Sequence, residues 1–305
     1  DIYADQQITE SVGKVHTELF GLTLLNHTKD FYLSFEPDYN IVKCWLRGTN
    51  TGQYLHDYSG FNNVAYMHGQ PLLVDGITDL GTVTDFTLST ALRFNRPNSA
   101  AENTDSIQVT DDARLQIDDM TTGFSEIWRG KIYDTDNEEG ISRTIFEKID
   151  DSTPNYGRML QVRDTGRLVY IVKDNGTVVA KQTPVNTIVP RQFTDVQDEI
   201  ALTYNNSTNT IGITLNNVSQ TLTNFTGEVN WHTTLTNHDL TLMHRGVGTV
   251  GGHLYGDFMD YIFYKNKVLT GPGSTTEITN HYTNKWTINN IAFGHVAVLN
   301  HFAPN

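Results

Sequence analysis

The sequence predicts an all-β protein built from antiparallel sheets. Three observations carry that expectation: apolar side chains alternate with polar ones at period two, Asn- and Gly-rich turns separate the alternating runs, and no βαβ rhythm is visible. Composition points the same way, with 24 Gly against 8 Pro, 14 Phe, 14 Tyr and abundant Thr and Asn. Aromatic and β-branched residues suit a pleated surface, and Gly and Asn suit its turns. At 305 residues the chain can bury a large core, and all-β sandwiches of about 200–250 residues often fold as one domain. One large domain with short extensions is expected.

Along the chain, Phe86, Leu88, Leu92 and Phe94 alternate through DFTLSTALRF, which marks a half-buried strand. In RLVYIVKDNGTVVAKQ, Asp174, Asn175 and Gly176 separate two β-rich runs, and Asn-Gly is among the strongest short-range hairpin signals. A second hairpin follows, with Ile200, Leu202 and Tyr204 before a polar turn and Ile211, Ile213 and Leu215 after it. LTLMHR and DFMDYIFYKNK supply two further strands. In the latter, Met259, Tyr261 and Phe263 are expected on one face and Phe258, Ile262 and Tyr264 near the other, and a strand apolar on both faces is central. Many short strands joined by turns make a sandwich or a barrel. The first 40 residues and the last 15, IAFGHVAVLNHFAPN, fall outside the pattern yet hold Leu19, Phe20, Leu22, Leu24, Val296, Val298 and Phe302, which must pack somewhere.

Charge and cysteine content narrow the function classes. Lys plus Arg number 21 against 35 Asp plus Glu, a formal charge of -14, and such a field repels phosphate backbones and anionic headgroups. Nucleic acid is therefore not expected as a partner. No stretch approaches the roughly 18 apolar residues of a membrane helix, so no membrane insertion is expected. Cys44 is the single cysteine, which rules out an intrachain disulfide and a cysteine-ligated zinc cluster. The chain opens at Asp1 without Met or a basic-then-apolar leader, the pattern of a mature secreted product or of a recombinantly expressed piece. Asn-x-Ser/Thr sequons at Asn26, Asn175, Asn205, Asn206, Asn217 and Asn224 carry little weight in a chain so rich in Asn, Ser and Thr.

The order of several segments is informative where none is specific alone. IVKCWLRG leads to the Asp-x-Ser-Gly turn of HDYSGFNN and then to TALRFNR. DSIQVTDDARLQIDDMTTGFSEIWRGKI, with Trp128, precedes RTIFEKIDD and YGRMLQVRDTGRLVYIV, and GDFMDYIFYKNKVLTGPGSTTEITNHYTNKW, ending at Trp286, closes the series. In this order residues 41–290 resemble the laminin-G-like jelly rolls of the concanavalin-A-like superfamily. The resemblance implies an all-β, two-sheet antiparallel jelly-roll sandwich flanked by an N-terminal extension, 1–40, and a C-terminal tail, 291–305. It further implies an extracellular setting, glycan ligands, bound Ca2+, and structural roles for Trp45, Trp128 and Trp286. Because the fold hosts many functions, it does not fix a ligand.

Glycan hydrolases resembling this fold carry a Glu-x-Asp-x-Glu strand that aims paired carboxylates at one cleft, and lyases carry Arg-x-Glu-x-Arg with Gln-Ile-His; none of these strings occurs. Glu126 and Arg129 flank Trp128, and Asp257 and Asp260 share the last strand, so a carboxylate pair assembled in space stays open. YSGF and PGST read as turns rather than nucleophile elbows. His232, His238, His244 and His253 lack zinc-ligand spacing. DTDNEEG is no EF-hand, since its Gly is misplaced and Ile145 stands where the bidentate Glu belongs.

For Ca2+, HDYSGFNN offers Asp57, Asn62 and Asn63, against the alternative of an Asx-turn in which Asp57 caps its own backbone. A sugar site needs an aromatic face for the C–H-rich side of the ring and polar groups for its hydroxyls. Trp231 in EVNWHTTLTNHD, with His232, Asn237 and Asp239, is one such set; Tyr54, Tyr58 and Tyr66 are another. For each the alternative is a rim residue covering the core. The leading expectation is a non-catalytic glycan-binding or adhesion protein, secreted or displayed on a cell or virion surface, whose partners are glycans or surface glycoconjugates. The alternatives are a structural subunit of a surface layer, filament or virion, homo-oligomeric through its terminal segments, and a polysaccharide hydrolase or lyase with an unfamiliar site.

Overall fold

The computed structural model describes residues 42–48, 54–55, 57, 59, 61, 63–69, 71–75, 90–94, 105–133, 143–150, 156–192, 197–227, 239–244, 252–273 and 276–279. Both terminal segments, Phe86, Leu88, the DTDNEEG loop and Trp286 lie outside these residues. In chain order the strands are β1 (Val42–Arg47), β2 (Tyr54–Leu55), β3 (Ala65–His68), β4 (Leu72–Asp75), β5 (Thr90–Phe94), β6 (Ser106–Val109), β7 (Gly123–Ile132), β8 (Arg143–Asp150) and β9 (Tyr156–Arg163). There follow β10 (Arg167–Asp174), β11 (Thr177–Gln182), β12 (Asp198–Asn205), β13 (Thr210–Leu215), β14 (Val218–Ser219), β15 (Thr223–Asn224), β16 (Leu240–Leu242) and β17 (Gly256–Lys265).

They form two antiparallel sheets packed face to face. The first runs β14-β13-β12-β7-β17-β5-β4 with β1 also on β17, and the second runs β15-β11-β10-β9-β8-β16-β6-β3-β2. Both expected hairpins are present. Asn175 and Gly176 take φ of 48° and 80° between β10 and β11, the left-handed pair of a two-residue turn whose twist matches its strands. Between β12 and β13 the alternating sets pair directly: Ile200 with Leu215, Leu202 with Ile213, and Tyr204 with Ile211.

Strand β17 is central, as its two-faced apolarity predicted, and all of it is buried. It pairs with β7 along one side, and along the other with β5 at Gly256–Phe258 and β1 at Asp260–Tyr264. Where β1 and β5 meet end to end, Gly48 donates its N–H to the Met259 carbonyl at 2.7 Å; a Cβ there would lie 2.4 Å from the Phe258 oxygen. The faces of β17 differ from the expected grouping. A bulge between Phe258 and Asp260 breaks strict alternation, so Phe258 joins Tyr261 and Phe263 in the core between the sheets, while Met259 turns outward against Ala91 and Val74.

The core is one continuous cluster. Phe124, Trp128, Leu202, Tyr204 and Phe263 of the first sheet meet Ile107, Phe146, Leu160, Leu168 and Leu242 of the second. The Phe146 and Tyr261 rings touch edge-on across the interface at 5.5 Å. Such interdigitation follows from alternation on both sheets, each directing every second side chain inward.

Candidate functional site

With alternate residues of the second sheet committed to the core, the intervening ones define its outer face, and strand register aligns them. Tyr54 pairs with Tyr66, Tyr66 with Gln108, Gln108 with Thr241, Thr241 with Glu147, Glu147 with Met159, Met159 with Ile171, and Ile171 with Ala180. Directly opposed residues share a face, so this is one row crossing eight of the sheet's strands. It opens on aromatic rings, passes through polar side chains and ends on an apolar floor. At the edge Tyr54 is 51% exposed, whereas Thr241 and Glu147 are 2% and 3% exposed. Met159 and Ile171 are covered by Phe225, whose backbone N–H reaches the Ala180 carbonyl.

Members of two sequence-predicted sets lie on this face. The Tyr54 and Tyr66 rings lie 4.8 Å apart at 51°, and Asp239, one residue before β16, is tied to the strand they flank. Gln108 donates through Nε2 to the Asp239 carboxylate and accepts at Oε1 from His68 Nε2 at 2.6 Å. The second Asp239 oxygen accepts the Asp111 N–H at 2.6 Å. Trp231, His232, Asn237 and Tyr58, predicted beside these residues, lie outside the described ones. His68 and Gln108 join the site without any motif in the sequence to mark them. For Gln108 a signal existed, since SIQV places it between Ile107 and Val109, both buried.

Asp57 and Asn63, two of the three residues predicted for Ca2+, do come together; Asn62 lies outside the described residues. The carboxylate of Asp57 accepts the Ser59 N–H at 3.0 Å and, on its other oxygen, the Ser59 hydroxyl at 2.7 Å, the Asn63 N–H at 2.9 Å and the Asn63 side-chain amide at 2.7 Å. Both oxygens therefore face hydrogen donors. This is the Asx-turn arrangement, which folds β2 back onto β3 beside the tyrosine pair.

The carboxylates considered for catalysis are separated by the sheet. Glu126 points into the core, where its oxygens accept from Arg158 Nε at 2.6 Å, from the Tyr170 hydroxyl at 2.8 Å and from the Tyr261 hydroxyl. Burial, followed by the Glu126 charge, pushes both tyrosine hydroxyls well above their ordinary range. Burial works against the charge on Arg158, but Glu126 overrides it and the guanidinium is held all the more firmly protonated. On the opposite face of the first sheet, Asp257 binds Arg93 at 2.8 Å, and Asp260 and Glu199 flank Arg129 at 3.3 Å and 3.9 Å. Among the described residues no group of His, Cys, Asp and Glu is arranged to hold a metal ion. His244, two residues after β16, and His253, three before β17, stack with ring centroids 5.5 Å apart.

No protein-family model matches the sequence, and no curated protein sequence matches it. Solved structures do. The binding domain of Paraclostridial Mosquitocidal Protein 1 superposes with a TM-score of 0.51 at 15% identity over 84% of this chain and 52% of that one. The binding domain of botulinum neurotoxin serotype G superposes with a TM-score of 0.52 at 12% identity over 80% of this chain and 51% of that one. The chain thus spans about half the length of either domain. At these identities the likeness establishes the β-sandwich, not the laminin-G-like or concanavalin-A-like family within it.

Proposed function

We propose that the protein is a non-catalytic glycan-binding module whose site is the outer face of the second sheet. The observation that carries this reading is the accessible end of the row: the exposed Tyr54 ring beside the half-buried Tyr66, in register with the half-buried Gln108, which Asp239 holds in place. Aromatic faces accept the C–H-rich side of a pyranose, and a fixed amide and carboxylate, here those of Gln108 and Asp239, hold its hydroxyls. Strand pairing holds Tyr66 and Gln108 in place before a ligand arrives, which lowers the entropic cost of binding. That the two similar solved structures are binding domains supports the same reading. The tests are a glycan array on the wild-type chain and on Tyr54→Ala. Removing one stacking ring should weaken binding by about 0.5–1.5 kcal/mol, or about two- to ten-fold, with no loss of fold. An array on which no glycan binds, or on which Tyr54→Ala binds as wild type does, removes this face from consideration.

A further inference from the structure

The hydrogen-bond chain from Asp239 to His68 has a direction, and that direction selects the ligand. A carboxylate only accepts, so the Gln108 group facing Asp239 must be its NH2. Its carbonyl oxygen then faces His68 Nε2 at 2.6 Å, and since that oxygen also only accepts, Nε2 must carry the hydrogen. In a neutral imidazole the other nitrogen, Nδ1, keeps its lone pair. Asp239 is itself anchored on its other oxygen by the Asp111 N–H, and since its carboxylate has no hydrogen to give, the chain cannot run the other way.

Resting on the glycan-binding reading above, we propose that this face takes neutral, hydroxyl-rich sugars and rejects anionic ones, with Asp239 as the positioning residue that imposes the choice through Gln108 and His68. A sugar hydroxyl can donate to Nδ1; a carboxylate or sulfate brings no hydrogen and meets a lone pair instead. Among the described residues, the cations nearest the Tyr54–Asp239 end of the row, together with Arg163 further along it, are engaged. Lys148 Nζ binds Asp111 at 2.5 Å, the Arg163 guanidinium holds Gln161 Oε1 at 3.1 Å and lies over the Phe225 ring at 4.6 Å, and Arg114 is paired with Asp112 at 2.6 Å. The Asp239 carboxylate and a formal charge of -14 add repulsion, since juxtaposing like charges at a binding site is costly.

The experiment combines two measurements. Wild type, Tyr54→Ala and Asp239→Asn are compared on matched neutral, sialylated and sulfated oligosaccharides, and the 15N spectrum of His68 is recorded in the unliganded wild type. Expected are Tyr54-dependent binding of neutral sugars at least about ten-fold tighter than of their anionic counterparts, a narrowing of that ratio in Asp239→Asn, and a protonated Nε2 beside an unprotonated Nδ1. Tyr54-dependent binding of anionic sugars as tight as neutral ones overturns the selectivity while leaving the glycan-binding reading intact. Absence of any Tyr54-dependent binding overturns that reading and this inference together. A protonated Nδ1 with bare Nε2 overturns the relay whatever the array shows, and that measurement needs no variant to fold.

Discussion

Glu126 is the side chain on which most depends per atom. Its carboxylate, fully buried between the sheets, is shared by Arg158, Tyr170 and Tyr261, and the Arg158 guanidinium lies 4.2 Å from the centre of the Phe263 ring. Truncation to alanine would strand a buried cation, and breaking a buried pair in this way costs about 3–5 kcal/mol. Glu126→Ala should therefore lower the denaturant midpoint by an amount matching that loss; a change below about 1 kcal/mol would mean that water reaches Arg158. The tyrosines give an independent check. Their hydroxyls are raised in the folded state by burial and then by Glu126, so the stability they contribute is full below the ordinary tyrosine value of about 10 and is lost as pH climbs above it. Absorbance at 295 nm should show Tyr170 and Tyr261 ionising only together with unfolding. The sequence hinted at half of this. Phe124, Glu126 and Trp128 share a face by alternation, which places the carboxylate inward, but Arg158 is 32 residues away and nothing local announces it.

At the scale of elements, what was legible was local. The Asn175–Gly176 turn and the β12–β13 hairpin are encoded by adjacent residues, and both formed where expected. The grouping of side chains along β17 was not, because the bulge after Phe258 is imposed by neighbours: β7 on one side, and the junction of β1 with β5 at Gly48 on the other. The binding face was read only in part for a related reason. Tyr54, Tyr66 and Asp239 were recognised by residue type, yet their alignment needs the pairing of β2, β3, β6 and β16, and Gln108 alone looks like any strand polar residue. The stacking of His244 on His253 was likewise invisible in their spacing. Burial, and then the Arg143 charge, hold the His253 imidazole below its ordinary 6.5. The folded state thus resists a proton that the unfolded chain takes up, so the contribution is present above about 6.5 and drains away as pH falls below it. Melting temperatures between pH 7 and pH 5 should decline in the wild type and decline less in His253→Gln. Parallel curves for the two would place the acid sensitivity elsewhere.

For the whole molecule, the question is whether two sheets behave as one cooperative unit. The hydrophobic cluster is continuous across them, and Glu126 of β7, which also accepts from Tyr261 of β17, is bonded to Arg158 of β9 and Tyr170 of β10, so neither sheet can peel away without exposing charge as well as apolar surface. Edge strands differ. β2, β14 and β15 span two residues each, and Val218 is 61% exposed, which leaves little to hold them against local opening. Hydrogen exchange should accordingly show β7, β9, β10 and β17 exchanging at one common free energy, with β2, β14 and β15 well below it. Cys44 supplies a chemical reporter of the same event. Its thiol is fully buried on β1, and burial, reinforced by Asp57, pushes its pKa well above the ordinary value, so the reactive thiolate is scarce in the folded state. Thiol labelling should therefore proceed at the rate of global opening and match the slow amides of β17. Faster labelling than exchange would show that β1 detaches by itself, and its pairing with β17 would then be the weak seam of the first sheet.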